Sequence, residues 1–209
     1  MDDKQYWQKF YAAQRTPSEP SLFAQFVWEN FLAKNAAPTL LELGCGNGRD
    51  AVFFKRQKIA VTAIDQANDE IDFLAGSHAD IRFLAGDFTK LPDFNFAPFD
   101  CIYSRFTWHS IDTTGEARLL NDCPKLLKSG GILAIEARGF QNSLFQKGEK
   151  VGENAYIFGG HYRRFVDFDA LCEKLSQNFN LEFAQESAGF APFENENDIF
   201  WRIVARKKS

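Results

Sequence analysis

Leu40-Leu41-Glu42-Leu43-Gly44-Cys45-Gly46-Asn47-Gly48-Arg49-Asp50 is the stretch whose reading decides the fold. An apolar run enters a G-x-G-x-G turn and leaves it into a helical pattern. Glycines at such a turn let the backbone bend sharply and approach a ligand closely. In open α/β sheets, ligands bind beyond the carboxyl ends of the strands, where the strand order reverses. Glycines alone would also serve any tight strand-to-helix turn, so the surroundings have to decide.

Outward from this turn, short apolar runs alternate with helical stretches. Strands are expected at 39–43, 60–64, 81–84, 99–103 and 132–137, the fourth rich in β-formers. Helices are expected at 50–57, at 69–74 and from 113 onward, where Thr113 and Glu116 have capping-box spacing ahead of Ala117, Leu119 and Leu120. Pro124 should kink or end that helix, and Gly130-Gly131 should turn the chain into the fifth strand. Residues 139–160 are polar, glycine-containing and weakly periodic, the mark of a long functional loop; 139–165 is therefore expected to be a lid-like substrate segment. A helix over 166–175 follows. Strands at 181–184 and 199–205, joined through Glu194-Asn195-Glu196-Asn197, suggest a terminal antiparallel hairpin. Upstream, Tyr6, Trp7, Phe10 and Tyr11 recur at helical spacing. Residues 16–20 are a break, with Pro20 suited to the first turn of a second helix whose apolar face is Phe23, Phe26, Val27 and Phe31. Strand-helix-strand repetition implies a parallel sheet with helices on both faces. The expected class is α/β: a Rossmann-like, doubly wound, seven-stranded sheet, mostly parallel with a C-terminal antiparallel hairpin. One domain spans 1–209, with 1–37 as a helical cover.

Composition narrows the function. The 209 residues are 45% hydrophobic and 25% charged, ordinary for one globular domain. A net charge of −4 supplies no global positive field for a phosphate backbone, so nucleic acid is not the expected partner. Cys45, Cys101, Cys123 and Cys172 form no C-x-x-C pair and no metal-ligand spacing, so no metal is expected. Free thiols suggest a reducing compartment. Met1-Asp2-Asp3-Lys4 lacks a signal-peptide pattern, and no apolar run approaches the ~18 residues of a membrane span. The expectation is a cytoplasmic protein without membrane contact, monomeric or homodimeric. Its 23 phenylalanines either fill the core in place of leucine or line an apolar pocket.

Three carboxylates give the glycine turn a chemistry. Asp65 ends the second strand, where an acid accepts hydrogen bonds from both ribose hydroxyls. Asp87-Phe88 follows the third strand; the carboxylate can accept from an adenine amino group and the ring can pack beside the base. Glu42 puts negative charge beside the turn, which repels phosphate and suits an ammonium or sulfonium ligand. NAD is the competing ligand, but its G-x-G-x-x-G fingerprint requires glycine where Arg49 stands. No G-x-x-x-x-G-K-[ST] occurs, which excludes Walker-type phosphate binding.

With these residues in hand, 42–50 resembles the first motif of the class I S-adenosylmethionine (SAM)-dependent methyltransferases. Asp65 is similar to that family's ribose acid and Gly86-Asp87-Phe88 to its adenine motif. Phe99-Asp100-Cys101-Ile102-Tyr103-Ser104 resembles its fourth strand, and Leu127-Lys128-Ser129-Gly130-Gly131 its turn before the fifth. The Asn47-Gly48-Arg49-Asp50 ending, the aromatic N-terminal segment and His161-Tyr162-Arg163-Arg164-Phe165 resemble a bacterial branch, the tellurite-resistance and thiopurine methyltransferase-like proteins. The resemblance implies SAM as cofactor and a small-molecule acceptor. It also implies a covering role for Tyr6, Trp7 and Tyr11, which otherwise simply pack on the sheet. The Asn/Asp-Pro-Pro-Tyr type of motif found in enzymes that methylate amino groups of DNA bases does not follow the fourth strand.

The expected cofactor contacts are Tyr11, Glu42, Gly44, Gly46, Gly48, Arg49, Asp65, Gln66, Asp87, Phe88, Ser104 and Arg105, the last two beside the methionine part. His109, His161 and Arg163 are the catalytic candidates. His109 is either a general base with the ordinary imidazole pKa of ~6.5 or a helix cap. Arg105, Arg138, Arg163 and Arg164 either converge on one mouth to grip an anionic acceptor through forked hydrogen bonds or are solvated. The expected function is methyl transfer from SAM to an oxygen of an anionic metabolite. The alternatives are a thiol or chalcogen-oxyanion acceptor, an NAD-binding oxidoreductase, and a non-catalytic SAM-binding protein.

Overall fold

Leu40, Leu41 and Leu43 put apolar side chains on both faces of one strand, as burial on two sides demands. They belong to β1 (Thr39–Leu43), in the middle of a seven-stranded sheet. The computed structural model describes residues 19–192 and 197–208; the helix expected around Tyr6, Trp7, Phe10 and Tyr11 lies outside them. β1 pairs in parallel with β2 (Ala60–Asp65) and with β4 (Phe99–Arg105). β3 (Arg82–Ala85) extends the β2 edge, and β5 (Leu127–Ala137) lies beyond β4. β10 (Phe200–Lys207) and β9 (Phe179–Ser187) complete that side as an antiparallel pair. The order β3-β2-β1-β4-β5-β10-β9 is the expected Rossmann-like sheet with its terminal hairpin.

Alternation along the strands sorts the core into two layers. On one face, α1 (Leu22–Val27), α2 (Arg49–Arg56) and α3 (Asn68–Ser77) pack Phe23, Phe54 and Leu74 against a layer that includes Leu40, Ala134 and Val204. On the other, α4 (Thr113–Leu126) and α5 (Phe168–Leu175) bring Leu119, Cys123 and Leu171 to Leu41, Ile135 and Ile203. No helix among the described residues is long and apolar enough to cross a membrane.

Several local expectations need correction. Pro20 precedes α1, and Ser21 is its N-cap. The cap of α4 is Asp112, which accepts from Gly115 N at 2.7 Å, one residue upstream of Thr113. Glu116 is buried instead and pairs with Arg164 and Lys174. Pro124 sits in the last turn of α4, which continues to Leu126. Gly130-Gly131 lies inside β5 as a bulge: Phe99 pairs with Leu127 but Cys101 with Ile132, and Gly130 supplies a left-handed φ of 71°. The expected lid-like loop is partly a sheet. β6 (Glu149–Gly152), β7 (Ala155–Phe158) and β8 (His161–Arg164) pair antiparallel. Strands of four residues, one of them exposed throughout, leave too little alternation to read.

Candidate functional site

β1, β2, β4 and β5 end at one edge of the sheet and β10 begins there. Between β1 and β4 the strand order reverses, which opens a crevice. The cleft at this point has a volume of about 540 Å³. Its floor is the glycine turn. Gly44 has φ 72°, and a Cβ there would stand 2.1 Å from Thr107 Cγ2. The Gly44 and Cys45 amides both donate to Ile64 O, at 2.8 and 3.0 Å, and strap the turn to β2. Asp65 accepts from Gly46 N and Ala67 N, each at 2.9 Å. Burial pushes its carboxyl pKa up and the backbone donors oppose this.

Glu42 stands out in this half for its burial. It is 3% exposed, and its Oε2 has no hydrogen-bond partner among the described residues. Burial first, and the Asp50 charge second, push its pKa well up. A buried acceptor without a donor is costly, and a cation placed in the cleft would answer it. Asp50, by contrast, is well supplied: Ser21 N, Ser21 Oγ and Tyr103 OH donate to it at 2.7, 2.7 and 2.8 Å, which ties α1 and β4 to the start of α2. Gln66 and Phe88 line the cleft and also an adjoining recess of about 330 Å³ that holds Asp87. Burial acts to raise the Asp87 pKa, but hydrogen bonds from Thr89 and Lys90 outweigh it and the net shift is downward.

The β4–β5–β10 side has a different wall. Phe106, Leu144, Phe190, Pro192 and Phe200 line it with Arg105 and Arg138. Glu136, fully buried in β5, accepts from Arg105 Nε at 2.8 Å and from Arg202 Nε at 2.6 Å. Arg202 also donates to Phe190 O at 2.7 Å and lies 4.3 Å over the Phe190 ring. Phe106 follows β4 with φ 59°, a conformation that costs an aromatic residue about 1–3 kcal/mol. Its ring stacks on Phe200 at 5.0 Å, with the Arg105 guanidinium 3.9 Å from its centroid. At the rim, Ser143 N and Oγ donate to the two Asp198 oxygens at 2.9 and 2.8 Å.

Of the expected cofactor contacts, Glu42, Gly44, Gly46, Arg49, Asp65, Gln66, Phe88 and Arg105 line the cleft, and Asp87 lines the recess. Gly48 is the N-cap of α2. Ser104 is fully buried against the Thr107 hydroxyl and does not line the cleft. Tyr11 lies outside the described residues. His109 and His161 are buried near one another but do not line the cleft. Burial first, then Arg138, His161, Arg163 and Arg105, hold His109 well below the usual imidazole range. Burial, Arg163 and Arg138 bring His161 down to about 4. His109 is therefore a neutral, weakly basic imidazole, where an ordinary pKa was expected. Arg163 Nη1 donates to Phe158 O at 3.1 Å. Of the four arginines expected at one mouth, Arg105 and Arg138 line the cleft. Arg164 is buried, bound to Glu116, Trp108 O and Ile111 O. The sequence reading missed Phe106, Phe190, Phe200 and Asp198; an aromatic residue directly after strand four was the one available signal. Among the described residues, no cluster of His, Cys, Asp or Glu is arranged to hold a metal.

Residues 40–131 match the family described as a methyltransferase domain. The ubiquinone biosynthesis O-methyltransferase of Caulobacter vibrioides is 34% identical over 102 residues, which make up 46% of this chain and only 39% of that protein. The Burkholderia thailandensis 1,6-didemethyltoxoflavin-N1-methyltransferase, solved with 1,6-didemethyltoxoflavin and S-adenosylhomocysteine, has a TM-score of 0.73 at 20% identity, covering 99% of this chain and 87% of its own. A TehB-like SAM-dependent methyltransferase from Corynebacterium glutamicum reaches 0.67 at 20% identity, covering 99% and 98%. TehB from Haemophilus influenzae reaches 0.70 at 16%, covering 97% and 67%.

Proposed function

We propose, from the premise that this chain belongs to the class I SAM-dependent methyltransferases, that it holds SAM in the β1–β2 half of the cleft and methylates an oxygen of an anionic small molecule in the β4–β5–β10 half. Glu42 carries the proposal. Its buried, partnerless Oε2 at the cleft wall suits the ammonium of a bound amino acid, whereas the phosphates of NAD would be repelled there. When bound, the sulfonium supplies an electrophilic methyl group: the acceptor oxygen forms a bond to carbon as the carbon–sulfur bond breaks, and the electron pair stays on sulfur as a neutral thioether. The chain's own residues align and sort the reactants. Gly44 permits close approach, Asp65 offers its remaining lone pairs to the ribose hydroxyls, and Asp87, Gln66 and Phe88 meet the base. Arg105 and Arg202 share the single carboxylate of Glu136, and Arg138 stands 3.8 Å from Asp198; the one surplus guanidinium charge on that side favours an anion. His109, His161 and Arg163 stand behind that wall. An acceptor oxygen that is already ionised in solution, such as a carboxylate, would need no base at the site.

Calorimetry tests this. SAM and S-adenosylhomocysteine should bind and NAD should not. Glu42→Gln should weaken both nucleosides about ten- to hundredfold, the worth of a hydrogen bond to a charged group. NAD binding without a response to SAM, or undiminished nucleoside affinity in Glu42→Gln, would overturn the proposal.

A further inference from the structure

At the first position beyond β4, a phenylalanine occupies backbone where glycine or asparagine would be at ease. Its main-chain bond, Phe106 N to Glu136 O at 2.8 Å, is open to any residue except proline. The turn does not need an aromatic side chain; what the strain preserves is the ring itself. Strained residues over-determined by their surroundings gather at ligand sites. This ring lines the cleft, faces the stacked Phe200, and is joined there by Phe190, Leu144 and Pro192. The cationic groups of the chamber sit against the same rings: Arg105 over Phe106, and Arg138 4.7 Å over Phe200.

Such a chamber discriminates between kinds of anion. A small inorganic oxyanion would give up hydration to apolar walls and gain nothing from the rings. A flat arene bearing an acidic group matches both features, packing against the edges of rings whose faces Arg105, Phe200 and Arg138 already cover, with its charge toward the guanidiniums. We propose that Phe106 is the specificity-determining wall of an acceptor subsite for aromatic acids, which rests on the methyltransferase reading above and narrows its acceptor to one class.

The test uses the full chain saturated with S-adenosylhomocysteine and titrated by calorimetry with benzoate, 2-naphthoate, cyclohexanecarboxylate and selenite. The two aromatic acids should bind about three- to tenfold more tightly than the cyclohexane acid, which has the same charge but no flat π face. Selenite should give no heat. Phe106→Gly, and Phe106→Asn as a second variant tolerant of the same backbone, should keep the nucleoside affinity while losing the preference for aromatic acids. Equal or absent binding of all the acids, preferential binding of selenite, or an unchanged aromatic preference in both variants would overturn the subsite and leave the methyltransferase reading in place. Failure of S-adenosylhomocysteine to bind at all would overturn both.

Discussion

The two halves of the cleft are built on opposite plans. The β1–β2 half is local. Its glycine turn, Glu42 and Asp65 come from 24 consecutive residues, and main-chain amides do much of the holding. The β4–β5–β10 half is assembled from positions 105, 106, 138, 144, 190 and 200, and one buried carboxylate, Glu136, ties Arg105 and Arg202 together at its centre. The first half leaves one Glu42 oxygen without a partner among the described residues; the second satisfies its central carboxylate inside the protein. A half that keeps an unpaired buried group gives up stability there, whereas a half that pairs its charges depends on them to stand.

That contrast breaks most directly at Glu136. Glu136→Ala leaves two largely buried guanidiniums without their shared counter-charge and should cost about 3–5 kcal/mol, read as a lower midpoint in urea unfolding. Glu42→Gln should move the midpoint the other way, by roughly 1 kcal/mol, because a partnerless buried carboxyl is replaced by a neutral amide. If both variants lost stability equally, the two halves would not differ as described.

Gly44 tests the local half through its backbone. Gly44→Ala adds a Cβ at 2.1 Å from Thr107 Cγ2 to a residue with φ 72°, so both strain and clash oppose it. The cost should be about 3 kcal/mol, and S-adenosylhomocysteine affinity should fall with it because the turn is the floor of the cleft. A variant that kept both would mean the turn has slack that its geometry denies.

The same contrast explains what could be read from sequence. Contiguity made the β1–β2 half legible: strand, glycine turn, helix and an acid at the next strand end lie within one short stretch, and the parallel sheet followed from its repetition. Phe106, Phe190 and Phe200 were lost among 23 phenylalanines, because aromatic residues after a strand look alike whether they fill a core or line a chamber. The small β6–β8 sheet was hidden by short strands and by Gly148, Gly152, Gly159 and Gly160, which read as loop. Arg164 looked like a ligand-gripping arginine because its partner Glu116 is 48 residues away, on α4.

A further expected effect is the difference in pH response between the halves. Near the β4–β5–β10 side, His109 and His161 are held below their unfolded pKa, with Arg138, Arg163 and Arg105 as the charges acting on them. The unfolded chain then binds more protons than the folded one as pH falls below ~6.5, so stability should fall with acidification. For His161, with a folded pKa of about 4, the loss between pH 7.5 and 5 should be on the order of 2 kcal/mol. His109 adds to it with the same sign. Glu42 and Asp65 act in the opposite direction: their folded pKa values are raised, so the folded state binds the extra proton and stability falls as pH rises above the ordinary carboxylate range. Thermal melts from pH 5 to 7.5 should therefore show a positive slope in the native protein, and His161→Asn should flatten it as the carboxylate slope emerges. A native profile that His161→Asn leaves unchanged across this window would mean that the His161 imidazole is not held neutral in the folded protein.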